Sequence, residues 1–212
     1  MRYRKWVVGA LVSSVASIGV GTAQAVCPDP PPVCFGKPAT ICGSPKGSQI
    51  KGTAGDDVIV ALDGDNSIKA GGGNDLICTG PGDDYVDGGA GDDMISDAGG
   101  ENVLKGSAGD DVIFSGPGDD TVTGGPGNDT IVDAGGRNAL KGGEGADLIM
   151  GGSGKDQIAG NDGVDVIFGG DGDDTIDCGT ESDTVDGGPG FDKCVDCQTF
   201  MNCEIVGGLK NS

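Results

Sequence analysis

The sequence predicts an all-β solenoid, in which short strands joined by tight turns stack on one another along the chain. Three observations predict this class. The 212 residues include 45 glycines, residues 52–195 divide into sixteen consecutive nine-residue units without an insertion, and one place in almost every unit holds an aliphatic side chain. A short fixed period is typical of architectures in which each unit packs mainly against its neighbours.

Residues 1–25 have the features of a secretory signal peptide and are excluded from the fold. Basic residues stand at the start, an apolar run occupies 6–21, and Ala23-Gln24-Ala25 forms a cleavage motif. The apolar run is short for a membrane span, and no later segment is apolar enough to be one. The sequence therefore predicts a secreted protein, with an uncleaved anchor as the alternative.

The composition of the remaining chain excludes several functions. Residues 26–212 carry 10 basic and 34 acidic side chains, a net charge of −24, and no histidine. Nucleic acids and anionic membrane surfaces are bound by basic patches, so neither is expected as a partner. Without histidine there is no Ser-His or Cys-His nucleophile pair. Only 38 of these residues are Leu, Ile, Val or Phe, too few for a conventional core, so another interaction must stabilise the fold.

Three positions define the nine-residue unit when its numbering starts at Gly52. Position four is glycine except at Glu181, position six is Asp or Asn throughout, and position eight is aliphatic except at Cys194. Glycines permit the positive φ angles of a tight turn, and the middle residue of a three-residue strand points inward. The position-eight side chains should therefore form two facing columns of a thin core: Ile59, Ile77, Ile95, Ile113 and Ile131 opposite Ile68, Val86, Leu104, Val122 and Leu140.

Six units carry the complete pattern Gly-Gly-x-Gly-x-Asp, as in residues 88–93. The sequence in this respect resembles the RTX family (repeats in toxin), whose nonapeptide has the form G-G-x-G-x-D-x-U-x. The resemblance implies a calcium-binding turn of six residues followed by a strand of three. It also implies that two units form each coil of a right-handed parallel β-roll. Residues 52–195 would then make about eight 18-residue coils.

The stacked position-six carboxylates make calcium the predicted cofactor. They would lie about 4.8 Å apart in successive coils, where a cation shared between turns relieves their repulsion. Ca²⁺ accepts six to eight oxygen ligands in flexible geometry, whereas Mg²⁺ demands an octahedron. Because binding would be coupled to folding, we expect the calcium-free chain to be largely unfolded. The candidate ligands are Asp57, Asp75, Asp93, Asp111, Asp129, Asp147, Asp165 and Asp183 on one side of the roll and Asp84, Asp120, Asp156, Asp174 and Asp192 on the other.

The second of these columns is interrupted by Asn66, Asn102 and Asn138, each followed three residues later by a lysine. An amide oxygen ligates calcium without contributing charge, and a nearby ammonium group weakens affinity further. We therefore expect the uninterrupted column to fill first, with up to seven ions between its eight turns. The interrupted side should bind weakly as far as about residue 156. The alternative is that the asparagines are neutral replacements.

One face of the predicted roll is apolar on its outer side. An exposed apolar sheet of this length exceeds what monomers usually tolerate. The Pro-rich segment 26–51 should cover part of it, or a second copy of the chain or another protein should do so. The residues of this face include Val58, Val60, Leu76, Val112, Phe114, Val132, Leu148, Met150, Val166 and Phe168.

Eight cysteines in a secreted chain are expected to be oxidised. Strand spacing separates them into an N-terminal and a C-terminal group of four, which leaves three pairings in each group and nine in all. Cys194 and Cys203 should face each other across the last coil. Disulfides would thus close caps at residues 26–51 and 196–212, although Cys194-x-x-Cys197 could instead bind zinc or act in redox exchange. The groups are Cys27, Cys34, Cys42 and Cys78, and Cys178, Cys194, Cys197 and Cys203.

The function expected from these features is that of a secreted calcium-binding protein with a structural or interaction role outside the cell. An enzyme is not expected, because about 26 residues precede the repeats and 17 follow them, too few for a catalytic domain. Two alternatives follow from the RTX resemblance. The chain could be an adhesin or surface-recognition protein, or the remnant of a secreted RTX enzyme that lacks its catalytic domain.

Overall fold

The computed structural model describes residues 27–205, so the predicted signal peptide lies outside the described residues. Within this range the chain forms 22 strands and no helix, and so no helix that could cross a membrane. The strands are β1 (Val33–Cys34), β2 (Lys37–Pro38), β3 (Ile41–Cys42), β4 (Gln49–Lys51), β5 (Val58–Val60), β6 (Ser67–Gly72), β7 (Leu76–Cys78), β8 (Tyr85–Ala90), β9 (Met94–Ser96), β10 (Val103–Ala108), β11 (Val112–Phe114), β12 (Thr121–Pro126), β13 (Thr130–Val132), β14 (Ala139–Glu144), β15 (Leu148–Met150), β16 (Gln157–Asp162), β17 (Val166–Phe168), β18 (Thr175–Asp177), β19 (Thr184–Asp186), β20 (Lys193–Val195), β21 (Thr199–Met201) and β22 (Glu204–Ile205).

The strands build two parallel ten-stranded sheets, which confirms the predicted β-roll. The odd-numbered strands β3 to β21 form one sheet and the even-numbered strands β4 to β22 form the other, while β1 and β2 make a separate antiparallel pair. Neighbours in a sheet are two units apart in sequence, so Ile59 pairs with Ile77 and Ile68 with Val86. Each coil of the roll therefore contains two units, as the RTX resemblance implied.

The roll is longer than the prediction of about eight coils. Strands β3 and β4 precede the nine-residue repeats, and β21 and β22 follow them. The last coil is shortened, because Thr184 pairs with Thr199 and Lys193 pairs with Glu204. Strand pairing needs only extended backbone with an inward side chain, so segments that lack the acidic turn can still add a coil at each end.

The core is a double column of single side chains, as the position-eight pattern predicted. Ile113 and Ile131 in one sheet, and Leu104 and Leu140 in the other, are completely buried. Three-residue strands such as β11 and β13 contribute one such residue between two outward-facing neighbours, and the six-residue strand β6 contributes Ala70 as well as Ile68. The core therefore stays thin along the whole roll, and the burial of apolar groups in each coil is small.

The turns between strands depend on positive φ angles at fixed positions. In the turn at residues 124–129, Gly125 has a φ of 131° and Gly127 a φ of 141°. Glu181, which replaces the position-four glycine, also has a positive φ of 77°. Position four has a positive φ in every unit except those of Gly55 and Gly190, which explains why glycine is so frequent there.

Disulfides close both ends of the roll, in the two groups predicted. The N-terminal bonds are Cys27–Cys42 and Cys34–Cys78, and the C-terminal bonds are Cys178–Cys197 and Cys194–Cys203. The structure thus selects one of the nine pairings and confirms that Cys194 faces Cys203. All eight cysteines are bonded, so Cys194 and Cys197 do not form the zinc or redox pair considered as an alternative.

The N-terminal segment covers only the first part of the apolar face. Cys34, Ala39 and Cys42 pack with Val60, and Leu76 lies at the edge of this cluster. Farther along the same sheet, Phe114 and Met150 are each 38% exposed and Phe168 is 41% exposed. The apolar outer surface of the odd-numbered strands β9, β11, β13, β15 and β17 is therefore left uncovered by the described residues.

Candidate metal centres

The turns of the roll lie in two rows, one on each edge, because every coil contains two units. We call the turns that precede the odd-numbered strands the first row, and it contains the uninterrupted column of aspartates. The turns that precede the even-numbered strands are the second row, which contains the asparagines. The first row begins with residues 52–57 and 70–75 and the second with 61–66 and 79–84, and each repeats every 18 residues. All thirteen predicted carboxylate ligands are buried in these two rows.

Except at Asp57 and Asn66, which come first in the two rows, one oxygen of each position-six side chain is fixed by the backbone of the preceding coil. The backbone N–H of Asp75 donates to Oδ1 of Asp93 at 2.8 Å, and that of Asp111 donates to Oδ1 of Asp129 at 2.8 Å. An asparagine can take the same place, since the N–H of Asp84 donates to Oδ1 of Asn102 at 2.8 Å. This ladder explains why position six accepts either Asp or Asn, whose Oδ1 atoms are equivalent acceptors.

The second oxygen of these aspartates has no protein partner. Oδ2 is buried and accepts no hydrogen bond from any residue in 27–205 in twelve of the thirteen predicted ligands. The exception is Asp57 in the first turn, whose Oδ2 accepts bonds from the N–H of Thr53 at 2.7 Å and from its hydroxyl at 2.9 Å. A buried carboxylate oxygen without a partner is strongly unfavourable. The arrangement is therefore suited to a bound cation.

The position-one glycines keep a space open next to these oxygens. A Cβ atom on Gly124 would lie 2.1 Å from Oδ2 of Asp129. A Cβ atom on Gly160 would lie 2.3 Å from Oδ2 of Asp165 and 2.6 Å from the carbonyl oxygen of Cys178, which belongs to the next coil. A carboxylate oxygen and a backbone carbonyl oxygen thus face the same space beside Gly160. An oxygen-only lining of this kind fits Ca²⁺.

Burial makes these carboxylates hard to ionise in the absence of a cation. Loss of contact with water is the largest cause that raises the pKa of Asp111, Asp120 and Asp147 to about 7. The charges of Asp129 and Asp93 raise the pKa of Asp111 further, while a backbone hydrogen bond opposes the shift. A nearby dication would favour the charged form of the same groups.

The candidate sites are not clusters of acidic side chains. No group of three or more His, Cys, Asp or Glu side chains converges on one point within the part of the chain that the structure describes. At Gly88, Gly160 and Gly169 the space beside position one is lined by a position-six carboxylate oxygen and by a backbone carbonyl oxygen of the next coil. Calcium accepts such a mixture, because carbonyl oxygens are among its ordinary ligands.

A second side-chain ladder lies on the exposed rim and was missed by the sequence analysis. At position five, the N–H of Asn74 donates to Oδ1 of Asp56 at 2.9 Å, and that of Asp110 donates to Oδ1 of Asp92 at 3.0 Å. These bonds run from each coil to the preceding one, opposite to the position-six ladder. The frequent Asp and Asn residues at position five are the sequence feature from which this ladder could have been predicted.

Two further buried carboxylates were also missed, because they occupy a position where glycine was expected. Asp97 and Asp133 stand at position one in the second row and are 7% and 5% exposed. Oδ1 of Asp97 accepts a bond from Nδ2 of Asn102 at 2.9 Å, and Oδ1 of Asp133 accepts one from Nδ2 of Asn138 at 2.8 Å. In these two units position one is Asp in place of Gly, and position six is Asn in place of Asp. Each unit therefore has the same number of carboxylates at these two positions as a unit with the usual Gly and Asp.

Comparison with protein families identifies the repeat. The family described as RTX calcium-binding nonapeptide repeat (4 copies) matches in seven overlapping segments that together run from residue 51 to residue 194. The matched region contains all the predicted ligands. A comparison with curated proteins finds no match to this chain.

Proposed function

The chain belongs to the RTX calcium-binding nonapeptide repeat family, and from this premise we propose that it is a secreted β-roll that folds on binding Ca²⁺. Its role would be structural or interactive, outside the cell, without enzymatic activity. Residues 1–25 would be removed as a signal peptide, residues 26–51 and 196–212 would cap the roll, and residues 52–195 would bind the ions. The observation that carries the proposal is the set of twelve buried Oδ2 atoms without a partner.

Dependence of folding on calcium follows from the balance of forces in each coil. The core offers one aliphatic side chain per strand, and the glycine-rich turns lose much conformational entropy when they become ordered. Each added coil also buries carboxylates such as Asp129 and Asp174 beside others of the same charge. An ion that neutralises these groups and ligates the carbonyls adds its binding energy to folding.

The disulfides support an extracellular location, and a general property of extracellular calcium sites agrees with it. The four disulfides join residues at the ends of the roll, and disulfides persist mainly in oxidising compartments. Calcium sites of extracellular modules bind with dissociation constants of about 10⁻⁴–10⁻³ M, which matches the calcium level outside cells. A chain that folds only at such concentrations would stay unfolded until it is exported.

The apolar face supports an interaction role, and we propose a second copy of this chain as its occupant. Strands β9, β11, β13, β15 and β17 contain no charged residue. Their outward side chains form straight ranks with the strand spacing of about 4.8 Å. Two copies placed face to face would present ranks of equal spacing to each other, as in packed sheets. Such a contact would remove Phe114, Met150 and Phe168 from water.

The calcium proposal is tested by far-ultraviolet circular dichroism during thermal unfolding, with Ca²⁺, with Mg²⁺ and with EGTA. We expect a β spectrum and a cooperative transition in Ca²⁺ and largely unfolded chain in EGTA. Isothermal titration calorimetry on the same sample gives the number of ions. An identical transition in Ca²⁺ and EGTA would overturn the proposal.

Self-association is tested by sedimentation velocity in saturating Ca²⁺. Replacement of Phe114 and Phe168 by Ser should convert the dimer to monomer. The matched control replaces Tyr85 and Val103 by Ser on the outer surface of the other sheet, and should leave the dimer intact. A wild-type chain that sediments as a monomer at high concentration would contradict the second copy as occupant.

A further inference from the structure

The second row of turns has an alternating set of side chains at position one. Where the first row has mostly glycine, the second row places Thr79, Asp97, Ser115 and Asp133 in four successive coils. All four side chains are at least nine-tenths buried. A hydroxyl thus alternates with a carboxylate along this stretch, with a period of two coils.

Each hydroxyl is bonded to the carboxylate of the following coil. Oγ1 of Thr79 donates to Oδ2 of Asp97, and Oγ of Ser115 donates to Oδ2 of Asp133. The other oxygen of Asp97 accepts bonds from the N–H of Gly99 at 2.6 Å and from Nδ2 of Asn102 at 2.9 Å. Its orientation is therefore fixed from within its own turn, with Oδ2 directed towards the preceding coil.

The same environment is repeated two coils later. Oδ1 of Asp133 accepts bonds from the N–H of Gly135 at 2.6 Å and from Nδ2 of Asn138 at 2.8 Å. The asparagines at position six are thus the groups that hold the position-one carboxylates. They have a defined structural task in these two units, and Asn66, whose unit has Ala61 at position one, has no such partner.

The preceding coil supplies a carboxylate oxygen without a partner in each case. Oδ2 of Asp84 and Oδ2 of Asp120 accept no hydrogen bond from the described residues, and both side chains are 2% exposed. In the same row, a Cβ atom on Gly169 would lie 2.7 Å from Oδ2 of Asp174. The position-six oxygen therefore lies beside position one of its own turn, which is Thr79 for Asp84 and Ser115 for Asp120.

The electrostatic contacts agree with this placement. After burial, which is the largest cause, the charge of Asp97 contributes to raising the pKa of Asp84. The charge of Asp133 likewise contributes to raising the pKa of Asp120. Two carboxylates and a hydroxyl from consecutive coils are thus close enough to interact in both places.

We propose that Asp84, Thr79 and Asp97 form a cation site, and that Asp120, Ser115 and Asp133 form a second one of the same design. Each site supplies two carboxylate oxygens, which balance the charge of Ca²⁺, and a hydroxyl oxygen, which is a further ligand of the type that calcium accepts. The inference rests on the proposed function, because it assigns ions of the same kind to a different set of ligands.

This assignment changes the expected distribution of ions in the second row. From Thr79 to Asn138 we expect one ion for every two coils, held by two carboxylates, in place of weak binding throughout. No ion is expected between the turns that begin with Asp97 and Ser115. The side chain of Asp97 occupies the space at position one of its own turn, and Asn102 contributes no charge. The lysines that follow the asparagines lie on the outward positions of the even-numbered strands.

The direct test is a crystal structure of the full chain grown with Ca²⁺, with Tb³⁺ exchanged into a second crystal for its anomalous signal. We expect an ion within about 2.3–2.6 Å of Oδ2 of both Asp84 and Asp97. Ions in the first row with none at this position would overturn the inference and leave the proposed function intact. No ion in either row would overturn the proposed function as well.

The solution test is calorimetric titration with Ca²⁺ of a variant that combines Asp97→Asn with Asp133→Asn. We expect it to bind two ions fewer than the wild type. The matched control combines Asp83→Asn with Asp119→Asn, which removes two exposed charges from the same row while Oδ1 still accepts its backbone bond, and should bind the wild-type number. An unchanged number of ions in the first variant, as expected if Asp84 and Asp97 only share a proton, would overturn the inference.

Discussion

Substitution of a position-one glycine in the first row tests whether the space beside each Oδ2 holds an ion. The Cβ atom of Gly124→Ala would lie 2.1 Å from Oδ2 of Asp129 and 2.7 Å from its Cγ. Ordinary carbon–oxygen contacts need more than about 3 Å, so the carboxylate must move by about 1 Å. A displaced carboxylate can no longer ligate an ion in the space beside residue 124, and the methyl group occupies part of that space.

The loss of one ion has a signature that steric strain alone does not have. A bound ion stabilises the fold by about 2.7 kcal/mol at 100 times its dissociation constant and by about 4.1 kcal/mol at 1,000 times. The destabilisation of Gly124→Ala should therefore grow by about 1.4 kcal/mol for each tenfold increase in calcium. Overpacking contributes a further penalty of about 1–3 kcal/mol that does not depend on calcium.

Urea unfolding at three calcium concentrations, all high enough to fold both proteins, measures the difference directly. The control is Gly55→Ala, because a Cβ atom there has no neighbour within 4 Å, and its free energy of unfolding should stay close to that of the wild type. If the difference between Gly124→Ala and the wild type stays constant across the calcium series, the space does not hold an ion and the reasoning is wrong.

Three further predictions concern pH, the caps and the core. In EGTA the folded chain should bind more protons than the unfolded chain between about pH 4 and pH 7, because burial raises the pKa of Asp111, Asp120 and Asp147 from 3.8 to about 7. The stability of the folded chain should therefore fall as the pH rises through this window. Circular dichroism in EGTA should show more β structure at pH 5 than at pH 7.5. Equal spectra at the two pH values would refute this prediction. Replacement of both Cys34 and Cys78 by Ser opens a bond that spans 44 residues and should lower the free energy of unfolding in Ca²⁺ by about 2–4 kcal/mol; an unchanged urea midpoint would contradict it. Ile131→Ala should cost about 2–5 kcal/mol, whereas Val132→Thr on the outer surface of the same strand should cost much less, and similar losses for the two would argue against the single-column core.

The parts of the fold that the sequence predicts are those in which one physical requirement recurs in every unit. Position eight must be aliphatic because it is the only inward side chain of a three-residue strand, so Ile113 and Leu140 could be assigned from the pattern. Position four must tolerate positive φ, which accounts for its glycines. The pairing of neighbouring strands then follows from the period.

The remaining features depend on geometry that the repeat does not encode. Ile41 and Phe200 join the sheets from segments without acidic turns, since strand pairing requires no particular side chain. The disulfide pairing depends on which cysteines meet across the end coils. Asp97 and Asp133 are not predicted by the repeat, because their role depends on a contact with the asparagine five residues later.

The shortened final coil has a consequence for assembly. A solenoid with two open ends can grow by addition of further chains, because its terminal strands expose unpaired backbone groups. Here β21 and β22 follow their neighbours in the sheets by fewer than the 18 residues that separate neighbours in the rest of the roll. Disulfides also bond the chain at both ends. Ten strands at about 4.8 Å give a roll about 43 Å long over the described residues. Lateral pairing through the flat side would thus yield discrete particles of defined length.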